Sequence, residues 1–204
     1  MKNNRFFSCI LIIAMTFCMS TSCEKELPDE TTIRFTMTAE SAKSVELLLA
    51  GTGTVTIYWG DGKNKKGTLK SNEAISFTHN YSGSSTRTIK IAGATISTLN
   101  CERNQLSSLV VGNNPKLEYM SCYRNQLTNL DVSECTALGM LYCYNNQLTT
   151  SALNNLFESL NNSEITVTEG NITHGKRIFI SGNPGEKDCD RSIATKKGWS
   201  VSGY

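Results

Sequence analysis

Three cysteines, Cys101, Cys122 and Cys143, recur every 21 residues, and evenly spaced thiolates are what a zinc site would use. The neighbours argue against metal. No Cys-x-x-Cys pair occurs, each cysteine stands two residues after Leu99, Met120 or Leu141, and Ile180 takes the same slot in a later, degenerate copy. Side chains two apart in a strand share a face, so these thiols are expected to pack inward as small hydrophobes. Cys135 and Cys189 lie outside the pattern, and nothing in the sequence pairs either into a disulfide.

Acid–base chemistry has little to work with. The chain holds two histidines, His79 in an expected strand and His174 in an expected loop, and no nucleophile motif surrounds either. Gly-x-x-x-x-Gly-Lys-Ser/Thr, His-Glu-x-x-His and Gly-x-Ser-x-Gly are all missing. Asp61 offers one carboxylate where calcium asks for a cluster of oxygen ligands. The expectation is a protein without catalytic residues, cofactor or metal.

What positions the cysteines is a repeat. Leu99-x-Cys101-x-x-Asn104-Gln105-Leu106 returns as Met120-x-Cys122-x-x-Asn125-Gln126-Leu127 and Leu141-x-Cys143-x-x-Asn146-Gln147-Leu148. Self-similarity at this period predicts a solenoid whose rungs bury their apolar faces only by stacking. Asn104, Asn125, Asn146 and the later Asn183 are expected to hydrogen-bond the turn backbone after each strand, because an amide both donates and accepts. The full unit, running from Leu117 to Leu138, resembles the leucine-rich repeat in a short bacterial form. That resemblance implies a parallel sheet with extended or 3₁₀ turns on its convex side.

After Thr149 the period breaks: Leu153, Leu156, Phe157 and Leu160 recur at helical spacing, and Ile178-x-Ile180-x-Gly182-Asn183 restores the strand signature 37 residues after Leu141. A helix opened by Asp188 and ended at Gly198, then a strand at Trp199-Ser200-Val201, is expected to cap the array over residues 188–204.

Residues 31–93 read differently. Alternating runs at Thr32–Thr36, Val45–Leu49, Val55–Trp59, Ile75–His79 and Thr88–Ile91 predict short antiparallel strands, with Gly51-Thr52-Gly53 and Asp61-Gly62 as turns. Trp59-Gly60-Asp61-Gly62 together with His79-Asn80-Tyr81 resembles the PKD-type immunoglobulin-like domain, which implies a β-sandwich. The expected fold class is therefore mixed and β-dominated: an antiparallel sandwich over 31–93, then a repeat solenoid over 94–204 with one or two helices near its cap. With no linker between them, the sandwich is expected to cover the first rung.

Ahead of both, Lys2 and Arg5 precede an apolar stretch from Phe6 to Met19, too short to span a membrane comfortably, and Ser20-Thr21-Ser22-Cys23 follows. Residues 1–22 read as a secretion signal. The small residues before Cys23 resemble the lipobox of bacterial lipoproteins, with Ser20 where an aliphatic residue is usual. The resemblance implies a lipid on Cys23, a tether over 23–30 and attachment to a membrane without crossing it. Against 18 acidic residues, losing Lys2 and Arg5 lowers the basic count from 20 to 18, so the mature chain is neutral and carries no electrostatic case for nucleic acid. The runs at Lys63–Lys66 and Lys196–Lys197 are expected to be solvated.

If Leu99, Cys101 and their equivalents point inward, three outward columns follow: Thr98, Tyr119, Met140, Arg177; Asn100, Ser121, Tyr142, Phe179; and Glu102, Tyr123, Tyr144, Ser181. Five of these twelve are aromatic, and aromatics gathered on a rigid surface suit recognition. Tyr119, Tyr123, Met140, Tyr142, Tyr144, Arg177 and Phe179 are thus the candidate contacts for a protein or glycan. Tyrosines stacked as ladder pairs, with no ligand, are the competing reading. The order of signal, PKD-like domain and short repeats resembles surface lipoproteins of Bacteroides-type bacteria, which implies the outer membrane of the cell envelope.

Overall fold

The computed structural model describes residues 33–71, 73–169 and 172–202. The expected signal segment, Cys23 and the tether lie outside the described residues. The fold is β-dominated, with a mixed ten-stranded sheet, a separate two-stranded hairpin and two helices among those residues.

Five strands open the chain: β1 (Ile33–Ala39), β2 (Ser44–Tyr58), β3 (Asn64–Leu69), β4 (Ile75–Asn80) and β5 (Arg87–Asn100). Alternation drives them. Phe35, Met37 and Ala39 of β1, and Val45, Leu47, Leu49, Val55 and Ile57 of β2, are buried on one side, with Thr36, Thr38, Glu46, Leu48 and Thr56 alternating between them. Two expected strands prove to be one, because Gly51-Thr52-Gly53 is not a turn but a stretch of β2 where its register with β5 shifts. Any side chain at Gly51 would strike the Thr95 carbonyl oxygen and lie 2.9 Å from Ile96 Cα, so glycine lets the two backbones touch. The turn at Asp61-Gly62 does form: Trp59 N donates to Lys63 O at 3.0 Å, and Gly60 and Gly62 take positive φ.

β5 runs through the expected boundary at residue 93 without a break. Its first half lies between β1 and β2, and its second half pairs with β2 on one edge and, in parallel, with β7 on the other. Then follow β6 (Leu106–Val111), β7 (Tyr119–Ser121), β8 (Met140–Tyr142), α1 (Thr150–Ser159), β9 (Thr166–Glu169), β10 (Ile172–Gly175), β11 (Arg177–Phe179), α2 (Ser192–Thr195) and β12 (Ser200–Ser202). Strands β5, β7, β8, β11 and β12 form a parallel ladder in chain order. β6, on the far side of the first rung, pairs with β1, so the N-terminal strands hold that rung from both sides.

Asparagine fastens each rung to the next. Asn125 Oδ1 accepts from Asn104 N and Leu106 N at 3.0 Å each, while its Nδ2 donates to Cys101 O at 3.0 Å and Cys122 O at 2.9 Å. Asn146 and Asn183 repeat the donations, to Cys122 and Cys143 and to Cys143 and Ile180, and accept from Leu127 N and Leu148 N. Asn104, with no rung before it, exchanges both bonds with the backbone of Glu46 in β2. The residue preceding each of these asparagines, Arg103, Arg124, Asn145 or Gly182, is left-handed, with φ between 54° and 69°.

Cys101, Cys122 and Cys143 are buried in the core with Leu99, Met120 and Leu141. α1 buries Leu153, Leu156 and Phe157, and Thr149 caps it by accepting from Ala152 N. The second helix departs from expectation. It begins only after Arg191, and Asp190 rather than Asp188 meets its start, with Oδ1 accepting from Ser192 N at 3.0 Å. Gly198 takes the expected left-handed turn, and Trp199 is buried beside β12.

Candidate binding surface

Parallel register makes the surface. With β7, β8 and β11 paired in step, Tyr119, Met140 and Arg177 share one row and Ser121, Tyr142 and Phe179 the next. Beyond the strands the pairing continues, as Arg103 N donates to Tyr123 O, Arg124 N to Tyr144 O and Asn145 N to Ser181 O. Strands sit about 4.8 Å apart, close to the contact distance of two aromatic rings. The rings accordingly stack along the ladder: Tyr123 on Tyr144 at 4.3 Å and 8°, Tyr142 on Phe179 at 4.4 Å and 2°, with Tyr119 tilted against Tyr142 at 5.5 Å.

Tyr119, Tyr123, Tyr142, Tyr144 and Arg177 keep partial exposure, whereas Phe179 is nearly covered at 8%. Met140 is a correction to the expected contact set. It is fully buried, because the segment 165–167 descends on the ladder beside it. Gly139 allows this, since a Cβ there would come within 3.2 Å of the Ile165 side chain. Ser121, in an outward column, is also buried, and its hydroxyl has no hydrogen-bond partner among the described residues.

Two hollows flank the stacked rings. One, of about 320 Å³, is polar and takes Glu46, Asn100, Glu102 and Arg103 into its wall. Burial, reinforced by the hydrogen bond to Glu102, pushes the Tyr123 phenol up to about 12, and the Arg103 guanidinium lies 5.9 Å from the Tyr123 ring centre. The other, of about 420 Å³, is more apolar and is lined by Tyr119, Met140, Ile165 and Val167 with Glu118 beside them. Neither hollow was visible in the sequence. Each joins a rung to a segment that no repeat pattern places beside it.

The remaining reactive groups have structural surroundings. His79 Nε2 lies 2.8 Å from Asp61 Oδ2, and its ring stacks on Trp59 at 5.0 Å and meets the Tyr81 ring edge-on at 4.7 Å. Tyr81 Oη donates to Trp59 O at 2.7 Å, which ties the β2–β3 turn to the end of β4. Burial pushes Asp61 up, but the His79 and Lys63 hydrogen bonds outweigh it and hold the carboxyl below its usual value. His174 falls in β10 rather than a loop, with Nδ1 3.0 Å from Gly175 O. Burial raises the Cys101 and Cys143 thiols well above their ordinary value and pushes Cys122 and Cys135 up to about 12, so these groups stay protonated and are poor nucleophiles.

Among the described residues no helix is long and apolar enough to cross a membrane. Comparison of the chain with protein-family models, with curated proteins and with solved structures returns no match.

Proposed function

We propose that this protein is an envelope-anchored binding module: a short leucine-rich-repeat solenoid, capped at its start by a PKD-like sandwich, that presents its tyrosines to a protein or glycan. The observation that carries this reading is the group of four partly exposed tyrosines on a ladder clamped rung by rung through Asn125, Asn146 and Asn183. A clamped platform loses little freedom on binding, and phenol rings give large contact area with few rotamers to freeze. Because most ring faces are turned on one another, edges and hydroxyls are what a partner would meet. That geometry suits a protein segment better than a sugar seeking an open ring face. Attachment through a lipid on Cys23 belongs to the same proposal.

The second reading is a spacer with no dedicated ligand, and the stacked pairs favour it to the extent that they satisfy one another. A protein and glycan array separates the two. A ligand captured by the wild type and lost, by about a hundredfold or more in affinity, in Tyr123→Ala/Tyr142→Ala/Tyr144→Ala supports the binding module. Capture that is unchanged in the triple variant rejects this face. Labelling cells with a fatty-acid precursor tests the anchor, and Cys23→Ala should abolish incorporation.

A further inference from the structure

A third hollow, of about 390 Å³, opens beside the start of β11, between the C-terminal cap and the segment 162–166. Its lining includes three lysines, Lys176, Lys196 and Lys197, and one acidic residue, Glu164. In a mature chain whose charges balance, this is a local excess of positive charge.

Lys176 sets the site apart, because it is only 3% exposed. Its ammonium donates to Asn161 O at 3.0 Å and to Asn161 Oδ1 at 3.3 Å, and it lies 5.5 Å from the Trp199 ring centre. Both acceptors are neutral. They satisfy N–H donors without cancelling the charge, and no carboxylate forms an ion pair with Lys176 among the described residues. Lys197 is partly committed elsewhere: it donates to the Glu158 carbonyl, and its ammonium stands 3.7 Å from the Glu158 carboxylate. Lys196 is exposed. Desolvation and, secondarily, the nearby Lys197 draw the Lys176 ammonium below its ordinary value, as expected of a cation without a counter-ion.

We propose that this hollow binds an oxyanion, a carboxylate, sulfate or phosphate group, with Lys176 as its fixed inner donor and Lys196 and Lys197 closing the outer side. The anion supplies the counter-charge that Asn161 cannot. The site is independent of the tyrosine face, so either assignment can fail alone. The Lys196–Lys197 run, which the sequence presents as solvated helix-end charge, acquires a ligand role in this arrangement.

Trp199 is a built-in reporter, and Trp59, in the N-terminal strands, is an internal control. The purified protein is titrated with sodium sulfate, sodium phosphate and sodium glucuronate, each against sodium chloride at matched ionic strength, while the two indole N–H signals are followed by NMR. The proposal expects a saturable shift of the Trp199 signal alone, lost in Lys176→Met. In Lys196→Ala/Lys197→Ala the midpoint should rise about tenfold, the scale of one or two charge-assisted contacts. The anion with the lowest midpoint identifies the acid group. A response matching that to chloride, or one that persists unchanged in Lys176→Met, overturns the site. Should Lys176→Met fail to fold, an unchanged midpoint in the double alanine variant overturns it equally.

Discussion

A single asparagine per rung does the work of several backbone pairs. In Asn125→Ala, Asn104 N and Leu106 N lose their acceptor and Cys101 O a donor, all in the buried interior, while Cys122 O keeps the Asn146 amide. Each orphaned buried group costs about 1–3 kcal/mol, so the variant should lose roughly 3–5 kcal/mol in urea unfolding, after some relaxation. Thiol labelling reports the same interior: under native conditions Cys189, the half-buried thiol, should react well before Cys101, Cys122, Cys135 and Cys143, which become reactive only with denaturant. Asp61 makes a pH prediction. Its folded carboxyl lies below the ordinary 3.8, so its contribution is present above that value and is lost as pH falls through the lower folded one. Asp61→Asn should therefore flatten the acid limb of the stability curve below about pH 4, as read by thermal melts across pH. An equally steep limb in the variant would deny Asp61 that role.

At the scale of elements, the legible parts were those set by local periodicity. The 21-residue spacing gives the parallel register directly, because Tyr119, Met140 and their neighbours pair with the residues one period away. The helix at 150–159 was readable from Leu153, Leu156 and Phe157, which keep one face apolar. What local pattern misses is any contact made by a distant segment. Met140 looks outward by alternation, yet residues 165–167 cover it, and nothing near Met140 announces them. Glycine pairs mislead in the same way: Gly51 and Gly53 carry the signature of a turn, but close approach to β5 is what requires Gly51. Gly51→Ala should push β2 off β5 and cost about 3 kcal/mol by overpacking, measurable as a lowered urea midpoint with the slope retained. The recurring left-handed residue was hidden because Arg103, Arg124 and Asn145 accept a conformation that only Gly182 advertises.

Across the whole molecule, the halves distinguished in the sequence share one strand and one core, with residues from Phe35 to Trp199 in a single buried cluster. Unfolding should then be cooperative from end to end. Emission from Trp59 and Trp199, separated by single-tryptophan variants, should give coincident denaturation curves. Two resolved midpoints would show that the halves melt independently. The bonds between Asn104 and Glu46 carry a further consequence. The first asparagine grips β2 with the same pair of amide bonds that its successors use on a preceding turn, so the N-terminal strand is treated as one more step of a staircase. A staircase whose bottom and top steps are fixed can be lengthened in the middle. Copying residues 117–137 once would add about 4.8 Å and a further pair of tyrosines, leaving both ends untouched. The length of this surface is thus a quantity that gene duplication can adjust in equal increments.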